Sequence, residues 1–313
     1  MRIISYLLLF VCLTGCRYTF DLDDKNMRPM VAIQSYICAD SLVAINVNKT
    51  VPLTQIGKAD TALINPYYSL KCNGEEVLVR DSMIGDGGMA LCSKAFKNGD
   101  ELEVIFGTAD METVIAKTTI PGPFPEYSLE ITGISTSETR TLKISYEDNP
   151  DTDDWYGALV RWQGLTRDYY NKDYYTTYYR SNQQTFPPYN YNDFDIEPES
   201  YSPLVLYWDG GYLYFWKDSD EEDNVYDLMY NYKMQNDYTY GEIENIRIQC
   251  SLFKLSEEMY KTLFAKYDVG NNPLKEIGLS SPAHTYSNIS NGLGYFCGYS
   301  ITRSEWISDN LTK

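Results

Sequence analysis

The chain has 313 residues, 43% of them hydrophobic, with 44 Asp and Glu against 26 Lys and Arg and a net charge of −18. Neutralising phosphates demands clustered Lys and Arg, so this balance argues against nucleic acid as a partner and against direct attraction to anionic lipid. A single histidine, His284, stands against 30 tyrosines, which removes His-based metal sites and leaves any His-dependent catalytic triad resting on one residue.

The chain opens with Arg2, an apolar run from Ile3 to Leu13 broken only by Ser5, and then Leu13-Thr14-Gly15-Cys16. That ending matches a lipobox, in which small residues precede a cysteine that receives diacylglycerol. An apolar run of about a dozen residues is too short to span a hydrocarbon core of ~30 Å. Residues 1–15 are therefore predicted to be a signal peptide, with Cys16 the lipidated first residue of the mature protein. The acidic, polar residues 16–30 read as a tether. Diacyl and N-acyl chains together anchor stably where one chain holds only marginally. No later run approaches eighteen consecutive apolar residues, so the lipid is the predicted attachment to the membrane.

From residue 31 the pattern is of short β-branched or alternating runs. They are Val31-Ala32-Ile33, Leu42 to Val47, Tyr67 to Cys72, Glu76 to Val79, Leu102 to Phe106 and Thr113 to Ile120. Turn signals such as Cys72-Asn73-Gly74 and Lys97-Asn98-Gly99-Asp100 separate them. Around seven such strands in about ninety residues is the pattern of an immunoglobulin-like β-sandwich, predicted over 31–122. Pro121-Gly122-Pro123-Phe124-Pro125 breaks any ladder and marks the predicted boundary.

A second β-rich domain is predicted over 126–305. Its strands are Tyr127 to Ile131, Thr141 to Tyr146, Gly157 to Trp162, Leu204 to Trp208, Tyr212 to Trp216 and Ile246 to Leu252, with Asp209-Gly210-Gly211 as a hairpin turn. One short helix stands out. Ser256 is its N-cap, Glu257 and Glu258 suit the positive end of the dipole, and Gly270 can stop it. Met259, Tyr260, Leu263, Phe264 and Tyr267 make its predicted buried stripe.

Between Gln163 and Pro203 the periodicity lapses, and Tyr169, Tyr170, Tyr174, Tyr175, Tyr178, Tyr179, Tyr189, Tyr191 and Tyr201 crowd into one stretch. A structureless insertion of that length, 165–203, is uncommon in a compact domain unless functional or disordered. Tyrosine gives large contact area at low entropy cost, so these rings are candidate contacts for protein or carbohydrate. A self-packed loop, or extra strands whose rings cover the core, is the competing reading.

Two acidic stretches, Glu147 to Asp154 and Asp218 to Asn224, raise the question of calcium, which takes six to eight oxygen ligands. Asp148, Asp151, Asp153 and Asp154 are the candidate ligands, although neither stretch has EF-hand spacing and solvated turns would look alike. Five cysteines follow the signal and the lipid site. Cys72 can pair with Cys92 and Cys250 with Cys297, or all five, Cys38 included, can be small buried hydrophobes. Catalytic signatures are thin: there is no Gly-x-Ser-x-Gly and no His-Glu-x-x-His. A glycosidase needs only two carboxylates, and nothing nominates a pair.

The C-terminal stretch Leu255-Ser256-Glu257-Glu258-Met259-Tyr260, then Asn272-Pro273-Leu274, then Tyr286 to Phe296 with Asn291-Gly292-Leu293-Gly294 inside it, resembles the ending of the domain-of-unknown-function 4249 family of Bacteroidota lipoproteins. Met30 to Ile33, Thr118-Thr119-Ile120-Pro121 and Asp148 to Tyr156 are similar to other parts of the same family. Asp21, Asp23 and Asp24 loosely resemble the acidic signal that sends such lipoproteins to the outer face, a solvated linker being the alternative. The resemblance implies an outer-membrane lipoprotein facing the exterior, beside a TonB-dependent receptor, with no catalytic residues to carry over. The expectation is thus a non-catalytic binding or accessory subunit without a cofactor. A carboxylate-dependent glycan hydrolase and an adhesin-like envelope component are the competing classes.

Overall fold

The computed structural model describes residues 28–52, 57, 60–82, 89–92, 94–133, 139–166, 178–179, 184–185, 194–197, 204–208, 211–218, 225–233, 243–271 and 286–309. The first part folds as β1 (Val31–Cys38), β2 (Val43–Lys49), β3 (Tyr67–Cys72), β4 (Glu75–Val77), β5 (Val79–Ser82), β6 (Met89–Cys92), β7 (Glu101–Gly107) and β8 (Val114–Thr119). The second continues with β9 (Tyr127–Thr132), β10 (Thr139–Glu147), β11 (Trp155–Thr166), β12 (Tyr178–Tyr179), β13 (Gln184–Thr185), β14 (Phe194–Glu197), β15 (Leu204–Trp208), β16 (Gly211–Lys217), β17 (Val225–Lys233) and β18 (Ile243–Leu255). Helix α1 (Glu257–Asn271) and strands β19 (Ile289–Ser290), β20 (Leu293–Arg303) and β21 (Ile307–Ser308) complete it. The mostly-β fold with one helix read from the sequence is the fold observed among these residues.

Alternation shows why the strands form. In β8, Val114, Ala116 and Thr118 are buried while Ile115, Lys117 and Thr119 face out, the period of two that a half-buried strand requires. β1, β2, β5 and β6 face a five-stranded sheet ordered β19-β8-β7-β3-β4 across a core of Ile33, Ile37, Ile45, Phe96, Val104 and Phe106. Burying each such side chain contributes about 1.5–3 kcal/mol. In the second part β15, β16, β11 and β18 face a four-stranded sheet, β14-β17-β10-β9. The core between them is aromatic: Tyr146, Tyr156, Tyr214, Trp216, Tyr226 and Tyr230 join Leu142, Ile144 and Leu228. Many of the protein's tyrosines thus serve packing. β15 and β16 pair antiparallel from Leu204 with Phe215 to Trp208 with Gly211, as the expected hairpin requires, Asp209 and Gly210 lying outside the described residues.

The two parts are not separate sheets. β20 runs parallel to β1 from Ala32 to Cys38 and antiparallel to β18, so a single twelve-stranded sheet passes through both, in the order β15-β16-β11-β18-β20-β1-β2-β6-β5 along its main path. β19 likewise pairs with β8. Residues assigned from sequence to a unit at 126–305 therefore complete the sandwich at 31–122. A strand edge left with unpaired N–H and C=O groups is a liability, and β20 covers the one that β1 would present. A parallel partner returns only after a long crossover, which leaves no local trace in sequence.

The far face of the shared sheet carries α1. Ser256 caps it, its Oγ accepting from Met259 N at 3.2 Å. Met259 and Leu263 are fully buried against Leu213, Phe215, Phe253 and Cys297. Tyr260 and Tyr267 lie partly buried beside them, but Phe264 is 47% exposed, so the buried stripe is narrower than the sequence suggested. The helix runs to Asn271, one residue past Gly270.

All five cysteines among the described residues are free and buried, so neither expected pairing is formed. Cys72 lies in the five-stranded sheet and Cys92 in the shared one. Cys250 faces the second core while Cys297 packs on the opposite face beneath α1, so the sheet itself separates them. Burial raises the thiols of Cys38, Cys72 and Cys250 and pushes Cys297 up to about 12, as inert packing residues require.

Candidate functional site

Two constellations of polar residues stand out, one at an end of the second sandwich and one where its helix meets the first. β10 leaves the four-stranded sheet at Glu147 and β11 enters the shared sheet at Trp155, so residues 148–154 cross between the layers. Asp148 and Asp154 turn inward and are nearly buried, as is Asp218 at the end of β16. Tyr156 Oη donates a short hydrogen bond to Asp148 Oδ1 and lies 3.3 Å from Asp154 Oδ2. Lys254 Nζ donates to Asp154 Oδ2 at 2.7 Å, and Thr152 Oγ1 does so at 3.0 Å. A reciprocal pair of backbone contacts closes the ring: Asp154 N donates to Asp218 Oδ2 at 2.9 Å, and Asp218 N to Asp154 O at 3.0 Å.

Electrostatics follow from that geometry. Loss of water is the largest influence on Asp148 and Asp218, and the mutual repulsion of the three carboxylates adds to it. Asp148 is raised above the ordinary carboxylate range and Asp218 is raised to about 6. Burial, then the neighbouring Asp148, holds Tyr156 firmly protonated, as a hydrogen-bond donor must be. Beneath the ring lies an aromatic floor in which Trp216 Nε1 donates to Tyr146 Oη at 2.9 Å and Phe124 meets Tyr146 and Tyr156 edge-on.

The four aspartates expected to share calcium do not converge. Asp148 and Asp154 enter the ring, while Asp153 pairs with Lys217 at 3.1 Å on the surface and Asp151 is exposed. Among the described residues no group of three His, Cys, Asp or Glu is arranged to hold a metal ion. Sequence reasoning named Asp218 only as the start of a second, separate acidic stretch, and missed Tyr156 and Lys254 as its partners. The available signal was Lys254 itself, a lone cation between Phe253 and Leu255 in an otherwise apolar strand end.

The second constellation joins the parts. Thr118 Oγ1 accepts from Gly298 N at 2.9 Å and lies 3.2 Å from Glu258 Oε2, while Ser256 N donates to Gly298 O at 3.0 Å. Asn288 spans the same seam, donating to Lys117 O and Phe296 O and accepting from Phe296 N. A groove of about 390 Å³ opens beside it, lined among others by Lys71, Glu103, Lys117, Thr118 and Glu258. Lys71 and Lys117 both pair with Glu103, at 3.2 and 2.7 Å, and hold its carboxyl below the usual range. Both lysines of the groove are thus committed to Glu103, while Glu101 and Glu258 line it as well.

Of the tyrosines singled out in the insertion, Tyr178 and Tyr179 form β12, which pairs with Thr166 and Leu165 of β11. Tyr169, Tyr170, Tyr174, Tyr175, Tyr189, Tyr191 and Tyr201 lie outside the described residues, as do His284 and residues 1–27, with Cys16, the expected signal and the expected tether before Arg28 among them.

A family model described as "Domain of unknown function (DUF4249)" matches residues 17–305. No curated protein matches the chain. Among solved structures it is similar to one titled "Complete structure of manganese lipoxygenase of Gaeumannomyces graminis and partial structure of zonadhesin of Komagataella pastoris", at 9% identity and a TM-score of 0.20 over 90% of this chain and 100% of that one. A likeness of that size carries no argument about fold or activity.

Proposed function

The chain belongs to the DUF4249 family, and from that premise we propose that it is an outer-membrane-anchored lipoprotein acting as a non-catalytic binding or accessory subunit, beside a TonB-dependent transporter in nutrient uptake. The observation that carries this reading is the lipobox Leu13-Thr14-Gly15-Cys16 behind a short apolar run, ahead of an acidic β-rich body. The residues that resemble the family support a scaffold role. Thr118, Ser256, Glu258, Asn288 and Gly294 spend their chemistry on the seam between sandwiches and on backbone approach. Two of the buried aspartates, Asp148 and Asp154, point inward at Tyr156 and Lys254.

The anchor is tested by Cys16→Ser. The variant is expected to leave the membrane fraction or accumulate as unprocessed precursor, and unchanged partitioning into detergent would remove the lipoprotein reading. The partner is tested by co-purification from native outer membranes. Replacing Tyr174, Tyr175, Tyr178 and Tyr179 with serine is expected to weaken that association with little change in Tm. If the four rings are core, each loss instead costs roughly 3 kcal/mol or more and the fold fails, so a large drop in Tm sinks the contact reading.

A further inference from the structure

Asp218 is the one member of the carboxylate ring whose hydrogen bonding is incomplete. It is 7% exposed, its Oδ2 accepts from Asp154 N, and its Oδ1 is buried with no hydrogen-bond partner among the described residues. Buried polar atoms are seldom left this way, because each lost hydrogen bond costs the full desolvation of the group. The groups that bear on it, directly or through Asp154 and Lys217, come from four elements. Asp148 and Tyr146 belong to the end of β10 and its turn, Asp153 and Asp154 to the lead into β11, Tyr156 to β11, Lys217 to β16 itself, and Lys254 to β18. Lys254 is already committed to Asp154, and Lys217 pairs outward with Asp153. The interior of the ring therefore holds more negative charge than its cations answer.

We infer that the Asp148–Asp154–Asp218 ring is a proton-operated clasp, in which Asp218 takes one proton from solvent onto Oδ1 in mildly acidic surroundings and donates it to a neighbouring aspartate. The acquired O–H supplies the missing hydrogen bond and removes one of three like charges. The turn at 148–154 and the end of β16 are then held together more tightly, and with them the two layers of the second sandwich. The upward displacement of Asp218 to about 6, caused first by burial, sets the window. An acid raised in the folded state stabilises that state as pH falls through the folded value, and the gain is complete below the ordinary value of 3.8. A rise of some two units corresponds to about a hundredfold in the folding constant, ten per unit.

The test is the pair of wild type and Asp218→Asn, melted across pH 7.5 to 5. Asparagine places an N–H where the proton would go. The variant is expected to melt above wild type at pH 7.5, and its lead to shrink by about tenfold in the folding constant by pH 5. A difference that does not change with pH, or a variant weaker throughout, overturns the clasp. Should the variant fail to fold, wild type labelled with ¹³C at aspartate carboxyls decides alone. One carboxyl titrating near 6 is expected, and every carboxyl titrating below 5 refutes it. Adding calcium at pH 7.5 separates the remaining alternative: a rise in Tm matching that in acid, reversed by EDTA, would make the occupant a metal ion and overturn the proton reading.

Discussion

Gly294→Ala is expected to cost about 3–5 kcal/mol, a large share of the ~5–15 kcal/mol that holds a chain of ordinary stability folded. Gly294 sits in β20 at a φ of +105°, a region in which side chains are strained. It is also the residue paired with Ile33 across the parallel β1–β20 ladder, and an added Cβ would stand 2.0 Å from Ile33 O. The obstacle is backbone in the middle of the shared sheet, so no side chain can rotate away. Four residues on, Gly298 poses the same problem against Thr119 O at 2.4 Å, and Gly298→Ala is expected to fall in the same direction. Gly122→Ala is the control, since its Cβ would meet nothing within 4 Å. Urea denaturation of the three variants checks the ranking. A Gly294→Ala protein as stable as wild type would mean that β20 does not run beside β1.

Lys254→Met is expected to cost about 1.5–3 kcal/mol at pH 8, the penalty for removing one partner of a partly buried, charge-assisted pair and leaving Asp154 uncompensated. Its Nζ is the cation donating to Asp154, with Asp148 and Asp218 in the same ring. Methionine conserves the stem, so lost packing contributes little. The loss depends on pH with a definite sign. Lys254 lowers Asp148, so without the lysine Asp148 rises further, and a raised folded-state acid means stability that grows as pH falls. The deficit is therefore expected to be largest at pH 8 and to shrink toward pH 5, and adding Asp154→Asn to the variant should recover part of it. Equal deficits at both pH values would show that Lys254 acts through packing and that the ring carries no excess charge.

These two results bear on how the site was legible. The acidic turn at 147–154 announced itself by composition, but composition could not say which aspartates turn inward. Asp151 and Asp153 are as acidic as Asp148 and Asp154, and only the crossing between two sheets decides which meet Tyr156 and Lys254. Asp218 lies 64 residues from Asp154, and its hydrogen bond to Asp154 N joins two acidic stretches that read as separate. The tyrosines tell a similar story. Tyr146, Tyr156, Tyr214 and Tyr230 look no different in sequence from those of the insertion, yet each is buried in the second core.

Local patterning determined the elements that depend on near neighbours. Alternation in β8, the hairpin between β15 and β16, and the cap at Ser256 all rest on contacts within a few residues, which composition and spacing encode directly. Tertiary structure alone decided that β20 returns beside β1, that the two parts share one sheet, and that Cys250 and Cys297 lie on opposite faces of it. A parallel pairing of residues 32–38 with 293–299 is held by backbone groups that every sequence possesses, so nothing local announces it. The need for glycine at 294 becomes visible only once Ile33 O stands 2.0 Å from where a Cβ would lie.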